Sequence, residues 1–185
     1  MRNNSLLLSF FVFFISAIHV EAHDGLFIRF SIGPGYYTEQ SSLNESGFAT
    51  PAKNHAIGWG FHQKFALQIS DFGGLIKNAV GEYNYINLDA LGLGLTYYMP
   101  FNTSVTLSGA QGKVTFARNW WENTNDGKET GYAINISLDK EWLIAKRWGV
   151  GIGSHGFLFK TNKIEYEFIQ FGINGTITHY FTPVR

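Results

Sequence analysis

The sequence predicts an all-β fold, an eight-stranded antiparallel up-and-down transmembrane β-barrel with short periplasmic turns and longer extracellular loops. After residue 22, about eight stretches alternate apolar residues with small or polar ones, and each has roughly the ten residues that a tilted strand needs to cross a bilayer. No later stretch stays apolar over the roughly 20 residues of a spanning helix. An export signal precedes the first stretch.

The N-terminus has the order of a cleaved export signal. Arg2 supplies a positive charge, residues 6–18 are almost wholly apolar, and Val20-Glu21-Ala22 offers small or β-branched residues at the positions that a signal peptidase reads. We therefore expect residues 1–22 to be a signal peptide and residues 23–185 to be one barrel domain. A retained membrane helix is the weaker interpretation, because the apolar run is only about 13 residues long against roughly 20 for a span.

The composition excludes several classes of function. The chain has no cysteine, which excludes a lipid anchor on an N-terminal Cys, a disulfide framework and thiolate zinc sites. Its net charge is zero and only 15% of its residues are charged, so nothing electrostatic points to nucleic acid. The 21 glycines are many for strands, where glycine packs poorly, and they indicate barrel curvature or a crowded interior.

The first strand has the clearest alternation, over residues 25–37. Its two faces are Leu26, Ile28, Phe30 and Ile32 on one side and Gly25, Phe27, Arg29, Ser31 and Gly33 on the other. A soluble sandwich would bury the apolar face, whereas a membrane barrel turns it to lipid. Residues 38–54 are polar and lack a period, so we expect a long exposed loop there.

The next three strands follow the same pattern. Residues 57–62 and 65–70 form a hairpin across a turn at 62–64, and residues 73–82 are expected to be a second, looser connection. The fourth strand, from about Tyr83, alternates clearly over residues 91–98. Ile86 and Leu88 have the opposite phase, which predicts a bulge near them.

The remaining strands complete the count of eight. Residues 99–102 form a turn at Pro100, the fifth strand turns Val105 and Leu107 outward, and its phase is undetermined beyond Gly112. Residues 118–130 are the third long connection, and the sixth strand alternates over 132–139. Residues 138–148 fit either a short helix or a turn near 143–147, and the resumed alternation from Trp148 favours the turn. A fourth loop at 160–165 precedes the last strand, residues 169–181.

Connection lengths and aromatic residues orient the barrel. The odd-to-even connections are predicted to be longer than the three turns between them, which places both termini in the periplasm. Aromatic residues near strand ends are expected to form the interfacial girdles: Tyr36, Tyr37, Tyr97, Tyr98, Trp142, Trp148, Tyr180 and Phe181. Trp120 and Trp121 are assigned to the outer girdle rather than to an adhesive patch.

The predicted interior face carries a polar network with a structural role. Its members among small residues are Arg29, Gln68, Asn135, Asp139, Glu141, His155, Gln170 and Asn174. Arg29 lies early in an ascending strand, whereas Asp139 and Glu141 lie late in a descending one, so the three should meet near the periplasmic end. Burying these charges unpaired would cost several kcal/mol, so we expect an ion-pair plug. An eight-stranded barrel leaves little free bore.

Catalytic and metal sites are not predicted. Ser154 and His155 are adjacent in a strand and point to opposite faces, and His62 and Asp71 meet across their hairpin only in a favourable register. The His-x-Ser-Asn pattern of lipid A deacylase barrels is absent, and the six histidines have no metal-site spacing. We expect a protein that is not an enzyme and that needs no cofactor.

These residues resemble the small eight-stranded outer-membrane barrels of Gram-negative bacteria, the OmpX-like and OmpW-like group. The likeness is carried by the signal peptide, the opening residues 25–30, the strand 92–98 before its Pro turn, the glycine alternation over 148–153 and the aromatic last strand. It covers nearly the whole mature chain. Members of this group usually end on an aromatic residue, whereas here Phe181 is followed by Thr182-Pro183-Val184-Arg185.

The resemblance implies a non-enzymatic outer-membrane protein with a largely plugged lumen and a structural or surface-interaction role. Its partners would be outer-membrane lipid and, during biogenesis, the barrel assembly machinery. Two alternatives remain open: a narrow conduit or binding barrel for a small hydrophobic compound, as in the OmpW-like group, and a soluble exported ligand-binding barrel of lipocalin type.

Overall fold

The computed structural model describes residues 24–40, 46–80, 83–117, 128–162 and 167–183. The predicted signal peptide, the Trp120–Trp121 pair and the Asn125-Asp126-Gly127 turn lie outside these residues. Eight strands account for almost all of the described chain: β1 (Gly25–Glu39), β2 (Ser46–His62), β3 (Phe65–Val80), β4 (Tyr83–Met99), β5 (Thr103–Ala117), β6 (Lys128–Ala145), β7 (Trp148–Thr161) and β8 (Glu167–Tyr180). No helix among the described residues is long and apolar enough to cross a membrane.

The strands form a closed antiparallel ring in chain order, in which β1 pairs with both β2 and β8. The predicted fold class is therefore confirmed. The register also fixes the geometry. A path of paired residues that starts at Phe27 passes through all eight strands and returns to β1 at Tyr37, ten residues further along (37 − 27). This shear tilts the strands strongly against the barrel axis.

The alternation places the apolar residues outside. Phe30, Leu93, Ile134 and Ile173 are each more than half exposed on the outer wall, whereas Arg29, Gly94, Asn135 and Asn174 face inward. Closure without free edges and an apolar exterior are the two features that let strands stand in lipid. The soluble lipocalin-type alternative is wrong, because its apolar faces would point into the barrel.

The predicted loops at 38–54 and 73–82 are wrong in their extent. β1 continues to Glu39 and β2 begins at Ser46, while β3 and β4 are separated by residues 81–82 only. Polar residues in these segments pair through their backbones, so the strands extend beyond the apolar stretches that the alternation detects. The second connection is consequently as short as the turns at 63–64 and 146–147, and the expected contrast in length fails there.

Two local predictions, a bulge in β4 and a turn after β6, have different outcomes. The bulge predicted near Ile86 and Leu88 is wrong, because β4 pairs with β5 without interruption from Tyr85 to Met99. Those two side chains are buried inside the barrel, where an apolar cluster receives them. The choice of a turn over a helix near 143–147 is confirmed, since β6 runs to Ala145 and β7 begins at Trp148.

The barrel interior has two layers. The half nearer the connections β1–β2, β3–β4 and β5–β6 is filled by an apolar cluster of Tyr37, Ala49, Phe72, Ile76, Ile86, Leu88, Ala90, Val114, Ala133, Phe157, Phe159 and Phe168. The half nearer the chain termini holds polar side chains, together with a small cluster of Phe27, Ala66 and Tyr180. The sequence pattern did not predict the apolar layer.

The aromatic girdle is only partly as predicted. Tyr37 and Tyr180 are buried inside, and Tyr98 packs against the small inner cluster, so these three do not belong to a girdle. Their even or odd position in the strand decides the face, and nearness to a strand end does not. Tyr36, Tyr97, Trp148 and Phe181 are exposed on the outer wall.

Candidate functional site

Arg29 is the centre of the polar network in the half of the lumen near the termini. The alternation of β1 turns its side chain inward, where it is 4% exposed. Its guanidinium nitrogens lie 3.6 Å from Asp139 Oδ2 and 3.6 Å from Glu141 Oε2. The Nε atom lies 3.4 Å from Thr178 Oγ1, and the guanidinium carbon stands 5.7 Å from the centre of the Phe27 ring. One cation thus faces two carboxylates of the same strand.

The two carboxylates have further donors of their own. Ser137 Oγ donates to Asp139 Oδ2 at 3.1 Å, and Thr178 Oγ1 donates to Glu141 Oε2 at 2.7 Å. The Tyr180 hydroxyl donates to Glu141 Oε1. The charges are therefore both paired and hydrogen-bonded, as burial requires.

Glycines of β7 make room for these carboxylates. A Cβ atom at Gly149 would lie 2.2 Å from Glu141 Oε1, and one at Gly153 would lie 2.0 Å from Asp139 Oδ1. Both distances are far below van der Waals contact. The glycine alternation that begins at Trp148 thus leaves the space that the two acidic side chains of β6 occupy.

A second polar group spans β3, β4 and β5. Gln68 Nε2 donates to Ser70 Oγ at 2.9 Å, and Ser70 Oγ lies 3.0 Å from Ser108 Oγ. Thr96 Oγ1 donates to Gln68 Oε1 at 2.9 Å and lies 2.8 Å from Thr106 Oγ1. All five side chains are buried, and their hydroxyls and amide join the three strands across the lumen.

A third group surrounds His155. The imidazole lies 3.4 Å from Gln170 Nε2 and 3.1 Å from Asn174 Nδ2, and it packs over Gly172, where a Cβ would lie 2.4 Å from the ring. Asn135 instead contacts Asn54 at 3.4 Å. Of the six predicted site residues, the structure brings together Arg29, Asp139 and Glu141, pairs His155 with Gln170, and leaves Asn135 in a separate contact.

None of these groups has the arrangement of a catalytic or metal site. Ser154 lies on the outer wall and His155 inside it, and the residue opposite Asp71 in the hairpin is His55 rather than His62. In the described part of the chain, no three His, Asp or Glu side chains are grouped as metal ligands. The arrangement instead fills the bore and fixes the strands to one another.

The structure also shows a charged cluster on the outer wall, which sequence reasoning missed. Lys53 Nζ lies 2.9 and 3.1 Å from the two carboxylate oxygens of Asp71 and 2.9 Å from Asp89 Oδ1. Asn87 Nδ2 donates to Asp89 Oδ2 at 2.8 Å. Lys53 reaches Asp89 across Gly73, the β3 residue that pairs with both.

The signal for this cluster was present in the sequence. Asp71 follows Leu67 and Ile69 at a spacing of two, and Asp89 precedes Leu91 in the same way. Asp71 was placed just beyond the end of a predicted strand and Asp89 beside the predicted bulge of the fourth strand, so their outward phase was not considered. Continued alternation through the polar residues would have found them.

No protein-family model and no curated protein matches the sequence. The structure is similar to Neisserial surface protein A (NspA), with a TM-score of 0.64 and 10% sequence identity over 87% of this chain and 100% of that chain. It is also similar to Ail, the attachment invasion locus protein of Yersinia pestis, with a TM-score of 0.53 and 10% identity over 84% of this chain and 99% of that one.

These two similarities show the fold of the small outer-membrane β-barrels. A third similar structure, the outer membrane protein OprG from Pseudomonas aeruginosa, has a TM-score of 0.47 and 10% identity over 86% of this chain and 98% of that chain. At such identities the likeness concerns the fold, and the function has to be argued from the residues of this chain.

Proposed function

We propose that this chain is an integral, non-enzymatic protein of the bacterial outer membrane whose barrel is a closed scaffold for a structural or surface-interaction role. The observation that carries the proposal is the filled lumen inside an apolar exterior. Arg29 with its two carboxylates closes one half, and the aromatic cluster around Phe72 and Phe157 closes the other. The signal peptide and cleavage before His23 belong to the same proposal.

Burial supports a closed bore. Four side chains that point towards the barrel axis have 0% exposure: Phe72, Asn135, Gln170 and Thr178. Their neighbours therefore leave no room for water around them. Eight strands enclose an interior that side chains can just fill. We therefore expect no steady ion current through the protein.

The first experiment tests membrane residence. Residues 23–185 are refolded into phospholipid vesicles and run on a gel with and without boiling. We expect a heat-modifiable band that stays with the vesicles after a carbonate wash. Equal migration of the two samples together with release into the supernatant would overturn the proposed location. In a Gram-negative host that expresses the full chain, the outer-membrane fraction should yield a mature N-terminus at His23.

The second experiment tests closure. The heat-modifiable protein is inserted into planar bilayers, with a wide porin in the same lipid as the positive control. We expect no stepwise conductance from this chain under conditions in which the porin gives clear steps. Reproducible steps that vanish on boiling would contradict a closed lumen.

A conduit for a small hydrophobic compound is the second candidate function. It is favoured by the aromatic layer of the lumen, in which Tyr37, Phe159 and Phe168 face one another around the bore. The same side chains are at most 1% exposed, so a ligand would have to displace them. Uptake of an apolar dye into vesicles above the rate of protein-free vesicles would favour the conduit over the closed scaffold.

A further inference from the structure

Four cations surround the end of the barrel at which the described chain begins and ends. We call them the basic rim: Lys64 in the β2–β3 turn, Lys140 on the outer wall of β6, and Lys146 and Arg147 in the β6–β7 turn. Three of the four are exposed, and Lys140 is half-buried. Asp24 is the one exposed acidic residue that the described chain has at this end. The rim therefore carries an excess of three positive charges (4 − 1).

No cation of the basic rim is neutralised within the described chain. None of the four lies within 4 Å of a carboxylate oxygen of the described residues, whose ion pairs involve Arg29 and Lys53 as the cations. The Lys140 ammonium donates to the Phe101 carbonyl at 2.9 Å and stands 5.7 Å from the centre of the Trp142 ring. These contacts hold the ammonium at the rim and leave its charge without a counter-ion among the described residues.

The opposite half of the barrel is balanced in charge. Among the described residues, it has five lysines and five acidic residues: Lys53, Lys77, Lys113, Lys128 and Lys160 against Glu39, Asp71, Asp89, Glu129 and Glu167. Several of them are neighbours, since Lys53 bridges two aspartates and Lys160 pairs with Glu167 across β7 and β8. The excess of positive charge is thus a property of one end, and the zero net charge of the whole chain conceals it.

The basic rim lies at the level where a membrane has its phosphates. Lys64 directly precedes Phe65, and Arg147 directly precedes Trp148. Both rings stand on the outer wall, where Phe65 packs against Tyr97 with 5.2 Å between the ring centres. Aromatic rings of this kind mark the interface, and the headgroup layer beyond the hydrocarbon is about 5–7 Å thick on each side. One residue of a tilted strand rises about 2.5 Å, so the cations fall within this layer.

The basic rim encircles the barrel instead of forming a patch on one side. The β2–β3 and β6–β7 turns are four strands apart in a ring of eight, so Lys64 and Arg147 lie on opposite sides. Backbone hydrogen bonds fix both turns. The Lys64 carbonyl accepts from the Tyr98 N–H, and the Arg147 carbonyl accepts from the Tyr180 N–H, each at 2.8 Å. A soluble partner would contact one side of such a ring, whereas a lipid leaflet surrounds all of it.

We propose that the basic rim binds the phosphate headgroups of anionic phospholipids in the leaflet around this end of the barrel. Lysine and arginine beside a membrane surface are attracted to anionic lipids, and both side chains form charge-assisted hydrogen bonds with phosphate oxygens. With the termini in the periplasm, as the connection lengths predict, this leaflet would be the inner one of the outer membrane. The inference rests on the proposed residence in the membrane, and it names the lipid class that this end of the barrel selects.

A single tryptophan at the rim reports which lipid lies beside it. Trp148, which is 45% exposed next to Arg147, is kept, and the other four tryptophans are replaced by phenylalanine. The protein is refolded into phosphatidylcholine vesicles that contain brominated phosphatidylglycerol or, in a parallel sample, brominated phosphatidylcholine. The ratio of the two quenching curves gives the relative affinity of the rim for the anionic lipid. We expect a preference of at least about threefold at low salt and of less than about twofold at about 1 M salt, where the Debye length is about 3 Å.

Two double variants, each of which removes two positive charges, locate the preference. Lys146→Gln/Arg147→Gln removes the cations beside Trp148, and we expect its preference to fall below about 1.5-fold. The matched control is Lys77→Gln/Lys113→Gln, which removes two exposed lysines from the opposite half. It should keep at least roughly two thirds of the wild-type preference. A heat-modifiable band confirms that each variant has folded.

The remaining outcomes decide against the proposal. A heat-modifiable, vesicle-bound protein without any preference for the anionic lipid would overturn the lipid site while leaving the proposed function intact. Equal loss in both double variants would show an effect of net charge rather than of the basic rim. A preference that survives Lys146→Gln/Arg147→Gln would place its cause elsewhere. Absence of a preference, together with cosedimentation of the wild-type protein but not of this variant with purified peptidoglycan, would assign the rim to cell-wall carboxylates instead.

Discussion

Replacement of Arg29 by methionine is the sharpest test of how the lumen is held together. The substitution keeps an unbranched, partly apolar side chain of similar reach and removes the only cation that faces Asp139 and Glu141 within 4 Å in the described structure. Ser137, Thr178 and the Tyr180 hydroxyl would still donate to the carboxylates. The barrel should therefore fold, with a lower free energy of unfolding.

The structure sets the size of the effect. Removal of one partner from a buried ion pair typically costs 3–5 kcal/mol, because the other partner is left buried without compensation. Two features place Arg29→Met at the lower end of this range. The ion-pair distances of 3.6 Å are longer than those of tight charge-assisted hydrogen bonds, and the carboxylates keep neutral donors. We expect a loss of about 3 kcal/mol.

The assay is reversible urea unfolding of the refolded barrel in phospholipid vesicles, followed by tryptophan fluorescence. The matched control is Arg29→Met/Asp139→Asn/Glu141→Gln, which has the same loss of side-chain volume at position 29 but no buried charge. We expect this triple variant to recover at least half of the stability that the single variant loses, because the unpaired carboxylates are gone.

Either of two results would refute this reasoning. A loss below about 1 kcal/mol for Arg29→Met would mean that water or another group already neutralises the carboxylates. A triple variant as unstable as the single one would mean that packing around the Arg29 side chain, rather than its charge, stabilises this half of the lumen.

Three further predictions follow from packing and from the outer wall. Gly92→Ala should lower the free energy of unfolding by about 1–3 kcal/mol, because its Cβ would lie 2.0 Å from the Gly109 carbonyl oxygen, whereas Gly109→Ala should change it by less than about 1 kcal/mol. The comparison fails if urea unfolding in vesicles ranks the two alike. Phe72→Ala should cost about 3–5 kcal/mol in the same assay, since the ring is fully buried and packs against the Phe157 ring. Trp59 and Trp148 face outward, so brominated lipids should quench the fluorescence of a variant that keeps only these two tryptophans. Quenching no stronger than that of free tryptophan in the same vesicles would place both rings away from lipid.

The sequence was sufficient to predict the fold because side chains in a barrel wall alternate between the lipid and the lumen. Each strand must therefore alternate apolar residues with small or polar ones. Leu91, Leu93 and Leu95 identify one strand and its outer face without any long-range information. Strand ends were harder to predict, because their polar residues pair through the backbone and have no apolar partner to reveal the period. Ser46, which begins β2, and Lys77, which lies near the end of β3, are such residues in the segments taken for loops.

The interior could be predicted in part. The opposite charges of Arg29 and Glu141 and their positions along ascending and descending strands were enough to expect them at one end. The apolar layer was not found in this way, because the inward phase of Leu88 was interpreted as a bulge. Phe72 shares the inner face of its strand with polar residues nearer the turn and did not stand out. Their meeting depends on the shear of the ring, and shear is a property of all eight strands together.

The carboxylates of β6 depend on the glycines of β7 for the space they occupy, and this dependence explains how the lumen is filled. Glu141 could not occupy its position if residue 149 had a side chain, and Asp139 is related to Gly153 in the same way. A glycine weakens a strand, so glycines at these positions are expected only where the space is used. Here the space beside the β7 glycines is occupied by the acidic side chains of β6, the strand next to β7. These side chains extend to the Arg29 guanidinium. Closure of the lumen is thus encoded by absent side chains on one strand as much as by charged side chains on another.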